Sequence, residues 1–392
     1  MKSILKKGVT GRMRSENKTV GLDVLFICIL GAMAVGLGQW LLPQKYYYDG
    51  LAIQVRLASI NEFMTNDDVG FSRVSDFYGF MGVTDKTPFF IQCLIGSAWA
   101  CLALCFSLKC MGLYKPVKWW LLISPLGFSY FIYMGQLSKE HFALMSIVLL
   151  LLPFLSARVA LILCAAAILA YALVLRPYWG LVLVFWAVLL VLQRKPGIFN
   201  WKIIPCIVVS IYLVSLAVFH FRGFYLSDLR FDINVNREGS DDAKTIVSNL
   251  FIAENSFYDT LNIIWGYLTL SFPLYLIPIL GVQHVLFGFF GTFLTVCVFR
   301  AGALLWRVPP SDEILRLRYV FLLWLAFSLV QGAFEPDYGS CLKHQAAFFP
   351  AVASLLWVWS INGKGNVWRD VGRAVKAVHR GRGADGNVMP VK

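Results

Sequence analysis

The chain has 392 residues, 58% of them apolar and only 15% charged, with a formal net charge of +13. That balance excludes an ordinary soluble domain, and basic charge set between long apolar runs argues against a nucleic-acid partner, because it follows an anionic membrane leaflet instead. All cysteines but Cys341 lie in or beside apolar runs and no metal-type Cys/His spacing occurs, so a disulfide framework is not expected.

A basic stretch, 1–20, opens the chain and precedes an apolar run from about Leu25 to Leu42. The run is too long for a signal h-region and ends at Trp40 with no small-residue cleavage pattern, so it reads as a retained first span. Runs of the length a crossing needs, or slightly shorter, fall at 22–42, 88–108, 119–136, 141–156, 159–175, 178–192, 203–219, 281–304, 319–334 and 346–362. The prediction is an all-α, polytopic transmembrane helical bundle of about ten spans, forming one membrane domain over 21–362.

Basic residues orient it. The stretches 1–20, 108–118, 157–158, 193–202, 300–318 and 363–392 hold 24 of the 35 Lys and Arg, whereas the stretches between them hold 17 of the 22 Asp and Glu. By the positive-inside pattern the N- and C-termini are cytoplasmic and the chain has two large extracytoplasmic loops, 43–87 and 220–262. The tail 363–392, rich in Gly, Lys and Arg, is expected to be disordered or held at the cytoplasmic leaflet.

In the first loop Ile53, Leu57, Ile60 and Met64 recur at helical spacing with Gln54, Asn61 and Glu62 elsewhere, which predicts a short helix on the membrane surface or one packed on the spans. The second loop carries Arg222, Arg230, Arg237, Asp228, Asp232, Glu238, Asp241 and Asp242, as a hydrated face would. The segment 255–280 is apolar enough to cross, but a crossing there would place Arg307, Arg316, Arg318 and the basic tail outside. Pro273 and Pro278 would also break a straight helix, while Phe257, Leu261, Ile264, Trp265 and Leu268 share one helical face. An amphipathic helix running into a re-entrant or interfacial piece is therefore expected.

Four places hold ionisable groups at the outward ends of spans, where charge is costly. Tyr46-Tyr47-Tyr48-Asp49-Gly50 follows the first span. Its tyrosines alone would make an interfacial belt, but Asp49 beside them is a candidate general base. Ser138-Lys139-Glu140-His141 forms a minimal hairpin, readable as a solvated turn or as a functional cluster with His141 directed into the bundle. Arg176-Pro177-Tyr178-Trp179 forms another, and its guanidinium suits bidentate phosphate binding as well as anchoring at the headgroups. Asp337 to Gln345 leads to Pro350, with Lys343 and His344 expected where a helix begins and its amides favour an anion. Topology puts Asp49, Lys139, Glu140, Arg176, Arg222, Lys343 and His344 on one membrane face.

At Tyr48-Asp49-Gly50, Ser138-Lys139-Glu140, Arg176-Pro177 and Tyr338-Gly339 through Lys343-His344-Gln345 the chain resembles bacterial repeat-unit polymerases of the Wzy kind. More broadly it is similar to the GT-C class of polyprenyl-phosphate-dependent glycosyltransferases. The resemblance covers most of the chain as architecture and about two dozen positions as loose motif. It implies an enzyme of the bacterial cytoplasmic (inner) membrane that joins polyprenyl-pyrophosphate-linked glycan repeat units on the extracytoplasmic face, during synthesis of capsule, O-antigen or another surface polysaccharide. Asp49 and Glu140 match the class's functional acids. Lys139, Arg176, Arg222, Lys343 and His344 become the candidate phosphate-binding groups. Arg176 departs from the family in lying in a tiny turn rather than a large loop, and Lys343 stands where Arg is frequent. No cofactor is expected, the need for a divalent metal is left open, and other polysaccharide-assembly membrane proteins are the implied partners besides the lipid bilayer. The alternatives are a transporter or flippase of a lipid-linked glycan or anionic solute, which would require charges at mid-membrane depth and paired broken helices, and a non-catalytic assembly partner.

Overall fold

The computed structural model describes residues 40–42, 44–58, 69–110, 117–193, 203–235, 245–279 and 281–361, together with parts of 29–38. The basic N-terminus, parts of the first apolar run, the predicted loop-helix positions Ile60, Asn61, Glu62 and Met64, the loop charges Arg237, Glu238, Asp241 and Asp242, and the basic tail lie outside the described residues.

Fourteen α-helices are described. They are α1 (Tyr48–Ala58), α2 (Val69–Phe80), α3 (Phe89–Cys110), α4 (Val117–Met134), α5 (Glu140–Val148), α6 (Ala157–Val174), α7 (Trp179–Leu192), α8 (Ile203–Arg222), α9 (Leu226–Val235), α10 (Ser256–Ser271), α11 (Val282–Leu305), α12 (Asp312–Phe334), α13 (Tyr338–Gln345) and α14 (Phe349–Ile361). Among the described residues there is no strand, only a single β-bridge between Ile246 and Asp337. The protein is a helical, membrane-embedded one: α3, α6, α8, α11 and α12 contain segments long and apolar enough to cross a bilayer.

Three further predicted crossings correspond to shorter apolar helices, Trp119–Met134, Glu140–Leu151 and Trp179–Leu192. For α5 the reason is local. Nine α-helical residues pass into a three-residue 3-10 turn that ends in extended backbone at Leu152, because Pro153 disfavours helix in the residue before it. The piece spans roughly 19 Å at helical rise, short of a hydrocarbon core of about 30 Å. The predicted span 346–362 is likewise divided, into the 3-10 turn Ala346–Phe348 and α14. The segment 255–280 bends by 67° between α10 and the 3-10 piece Pro273–Ile279, the break its prolines predict for a broken span or a re-entrant loop.

Helix α12 is the axis of the bundle. Of its apolar window 89% is buried inside the protein, which explains a sequence that is hydrophobic on every side. Ser311 caps its start, the hydroxyl accepting from the Ile314 amide at 3.3 Å, and Glu335, standing before Pro336, ends it in extended backbone. Helix α10 crosses α12 where a Cβ on Gly332 would lie 2.6 Å from the Tyr267 amide nitrogen and 2.8 Å from the Ile263 carbonyl, so only glycine permits this approach. Helix α7 docks on α12 through the Trp186 indole, which donates to the Tyr319 carbonyl at 3.1 Å, and through Trp179 against Phe327.

The two ends of the bundle differ. At one, Arg316 donates to the carbonyls of Leu152 and Leu155 at 2.7 and 2.8 Å, beside the start of α6, where Arg158 lies. The 18 residues of α6 then carry the chain about 27 Å to the turn bearing Arg176. At that second end α1 and α2 form a small cap around Ile53, Leu57, Phe71, Val74 and Tyr78. The helical spacing of Ile53 and Leu57 is thus used for packing on the bundle.

Candidate functional site

Five separate pieces of chain converge at the Arg176 end. The first is the start of α1. Gln136, in the turn between α4 and α5, donates to the Tyr46 carbonyl at 2.9 Å and accepts from the Gly50 amide at 3.2 Å, which fixes α1 against that turn. Asp49 thereby faces two donors: Ser138 Oγ reaches one carboxylate oxygen at 3.0 Å and Lys343 Nζ the other at 2.6 Å.

The turn itself supplies the second piece. Helix α3 lets it approach at Gly96, where a Cβ would meet the backbone O, C and N of Gln136 at 2.5, 2.7 and 2.7 Å. Beyond the turn Glu140 opens α5, its amide bonded to Ser138 Oγ at 3.2 Å. Its carboxylate is fully buried and accepts from Arg176 Nη2 at 3.1 Å and from the Tyr171 hydroxyl at 3.2 Å. Lys139 is buried with its ammonium 3.6 Å from the centroid of the Phe71 ring, a cation–π contact, and its charge acts on Asp49. His141 points inward as expected, taking the Tyr78 hydroxyl at Nδ1 (2.7 Å) and facing the Met134 carbonyl with Nε2 (2.8 Å).

The third and fourth pieces are the α6–α7 turn and α13. Helix α6 ends at Val174, Pro177 follows, and the Arg176 amide folds back onto the Tyr171 carbonyl at 3.0 Å. Arg176 Nη2 then lies 3.2 Å from His344 Nε2. Helix α13 is capped by Asp337, which accepts from the Ser340 amide at 2.8 Å. It begins at Tyr338 and carries Lys343 and His344 in its last turn. This corrects the expectation that these two residues open a helix: they lie in the last turn of α13, where the Leu342 and Lys343 carbonyls accept from the Ala346 amide as the chain passes through the 3-10 turn Ala346–Phe348 into α14. The fifth piece is the end of α12, where Glu335 Oε1 lies 2.5 Å from His344 Nδ1.

Six of the seven sequence candidates, Asp49, Lys139, Glu140, Arg176, Lys343 and His344, therefore meet in one cluster. Arg222 does not: it ends α8, exposed, and takes part in none of the cluster's ion pairs or hydrogen bonds described above. Arg230, from the same loop, is buried: it donates to the Gly332 carbonyl at 2.7 Å, the Asn262 carbonyl at 3.0 Å and Asn249 Oδ1 at 2.9 Å, locking α9 to α10 and α12. Sequence reading missed Tyr171 and Glu335. Glu335 carried a signal in standing directly before Pro336 at the foot of the Asp337–Gln345 run. Tyr171, inside an apolar helix, carried none.

Exposure orders the cluster. The carboxylate side chains are buried, at 2% exposed for Asp49, 0% for Glu140 and 6% for Glu335, whereas Arg176 and Lys343 are 20% and 25% exposed. Arg176 and Lys343 form the accessible rim, and the acids lie behind them with Lys139. Among the described residues no group of three His, Cys, Asp or Glu side chains is arranged to hold a metal ion.

Burial by itself pushes the Asp49 carboxyl up, but Lys343, Lys139 and Arg176 outweigh it and hold the group below the ordinary carboxylate value. A depressed carboxyl contributes stability that is complete above its unfolded pKa, about 3.9, and is lost as pH falls through the lower folded value. In detergent, the difference in unfolding midpoint between wild type and Asp49→Asn is expected to stay constant from pH 7 to pH 5 and to shrink only below about pH 4. A difference that closed between pH 6 and pH 5 would contradict the assignment.

On the far side of α13, Tyr338, Leu342 and Gln345 fall on one face and line a cavity of about 380 Å³, closed by Phe290 and Leu294 of α11 and by Phe349. Its wall is mainly aliphatic and aromatic. Charged cluster and apolar cavity thus share one eight-residue helix. Searches of protein-family models, of curated proteins and of solved structures find no match to this chain.

Proposed function

We propose that the protein is a glycosyltransferase of the bacterial cytoplasmic membrane that joins polyprenyl-pyrophosphate-linked glycan units on the extracytoplasmic face during surface-polysaccharide synthesis. The topology that goes with this reading has about ten crossings, cytoplasmic termini and the Arg176 end of the bundle outward. One observation supports it most: an accessible rim of Arg176 and Lys343, backed by buried acids, adjoins an apolar cavity inside a membrane protein. An amphiphile with an anionic phosphate head and a hydrocarbon tail complements that combination.

In this mechanism Arg176 takes the phosphates through its fork, with Lys343 and Lys139 adding charge at the departing oxygen. Asp49 and Glu140, the acids expected from sequence to accept a proton, hold Lys343 and Arg176 in position for the phosphate. Arg222, exposed and apart, has no part in this geometry.

The test is glycan length in cells of the native host carrying Arg176→Ala or Glu140→Gln, with membrane abundance confirmed. The expected result is loss of long polymer, surface molecules capped with a single repeat, and accumulation of lipid-linked glycan outside. Substrate trapped on the cytoplasmic side would instead support a flippase, and unaltered long polymer in both variants would remove these residues from any transfer chemistry.

A further inference from the structure

The cluster contains one group able to accept a proton without leaving a buried charge unpaired, and it is neither of the acids singled out by sequence. His344 lies between two carboxylates, with Nδ1 2.5 Å from Glu335 Oε1 and Nε2 3.7 Å from Glu140 Oε1. Nε2 is also 3.2 Å from Arg176 Nη2. Arginine only donates, so Nε2 must be the acceptor in that contact. These contacts assign the Nδ1 hydrogen to Glu335 and turn the Nε2 lone pair toward the cationic rim. The partners on both ring nitrogens select this tautomer.

Resting on the polymerase reading, we infer that His344 is the general base that activates the acceptor hydroxyl, with Glu335 as the positioning residue that fixes its tautomer and balances its charge. When Arg176 turns from His344 to the donor pyrophosphate, Nε2 is freed at the rim. The acceptor O–H then gives its proton to Nε2 as its oxygen bonds to the anomeric carbon. The bond from that carbon to the phosphate oxygen breaks, and its electron pair leaves with the polyprenyl pyrophosphate, held by Arg176 and Lys343. The imidazolium lies between Glu335 and Glu140, and its proton passes to water or to the departing phosphate.

Burial argues against the two acids in this role. Glu140 is fully enclosed and Asp49 is 2% exposed, whereas the His344 side chain is 13% exposed. A base must come within hydrogen-bond reach of the hydroxyl it deprotonates, and only the imidazole presents its lone pair at the rim. The arrangement has the logic of a nucleophile-activating histidine oriented by a carboxylate, reached here from the end of α12 and the last turn of α13.

The experiment uses membranes containing the full-length protein and, as probe, the lipid-linked glycan extracted from a host strain deleted for this chain, with polymer length as readout. His344→Ala is expected to lose roughly a hundredfold or more in rate with little change in the half-saturating glycolipid concentration, and added imidazole is expected to restore part of it. Glu335→Gln, which keeps a hydrogen-bond acceptor but not the charge, is expected to lower the rate at unchanged half-saturation. Arg176→Ala should lose activity that imidazole does not restore. Wild-type rate in His344→Ala, or loss that imidazole leaves untouched in correctly folded protein, overturns the inference while leaving the polymerase reading intact. Wild-type rates in both His344→Ala and Arg176→Ala overturn both.

Discussion

Removing the Arg176 guanidinium alone is expected to cost about 3–5 kcal/mol of stability, because it leaves a carboxylate enclosed without its charge partner. Glu140 has no exposed surface, and the Tyr171 hydroxyl, the more distant His344 ring and the charge of Lys139 are what remain to it. Glu140→Ala is expected to cost a comparable amount, since Arg176 and the Tyr171 hydroxyl both lose their acceptor. The double variant should cost clearly less than the two single changes together, because desolvation of the pair disappears along with its attraction. Chemical unfolding of the purified protein in mixed micelles, run as a double-mutant cycle, measures this. Additive costs would show that the two side chains do not act on each other.

The second large effect is expected at a residue with no chemistry. In Gly96→Ala the new methyl would lie 2.5 Å from a carbonyl oxygen and 2.7 Å from two further backbone atoms of Gln136. No flexible side chain is available to yield, so the α4–α5 turn itself must move. That turn carries Ser138, Lys139 and Glu140 and fixes the start of α1 through Gln136. The variant is expected to lose polymer in cells about as severely as Arg176→Ala while keeping the other helix contacts, and to lower the unfolding midpoint. Gly180→Ala, where an added Cβ meets nothing within 4 Å, is the matched control and should behave as wild type. Normal glycan in Gly96→Ala would mean that the placement of this turn does not matter.

Much of the site was legible because costly residues announce themselves in apolar surroundings. Lys139, Glu140 and Arg176 each stand in turns too short to need charge, and the structure brings them together. Membrane embedding was legible from composition alone. Helix lengths were less so: hydropathy marks apolar length but not where Pro153 ends α5 or how 346–362 divides, since those depend on local backbone preference. Arg222 and Arg230 show the limit most clearly. Both occupy one polar loop in the sequence, and only packing against Asn249, Asn262 and Gly332 determines that the second is buried while the first is exposed. Glu335 showed only in its place before Pro336, because its value lies in a partner nine residues away on a separate helix.

Helix α13 touches the apolar hollow with one side and the ionic network with the other, and at eight residues it is too short to dissipate a push by bending. It is also tethered at both ends, by Asp337 at its start and at its close by Gln331, whose Oε1 accepts from Gln345 Nε2 at 3.1 Å. In the proposed enzyme, a greasy tail that fills the hollow well and one that fills it poorly would therefore seat Lys343 and His344 differently. On that proposal, selection by tail and selection by headgroup are two readings of the same rigid lever.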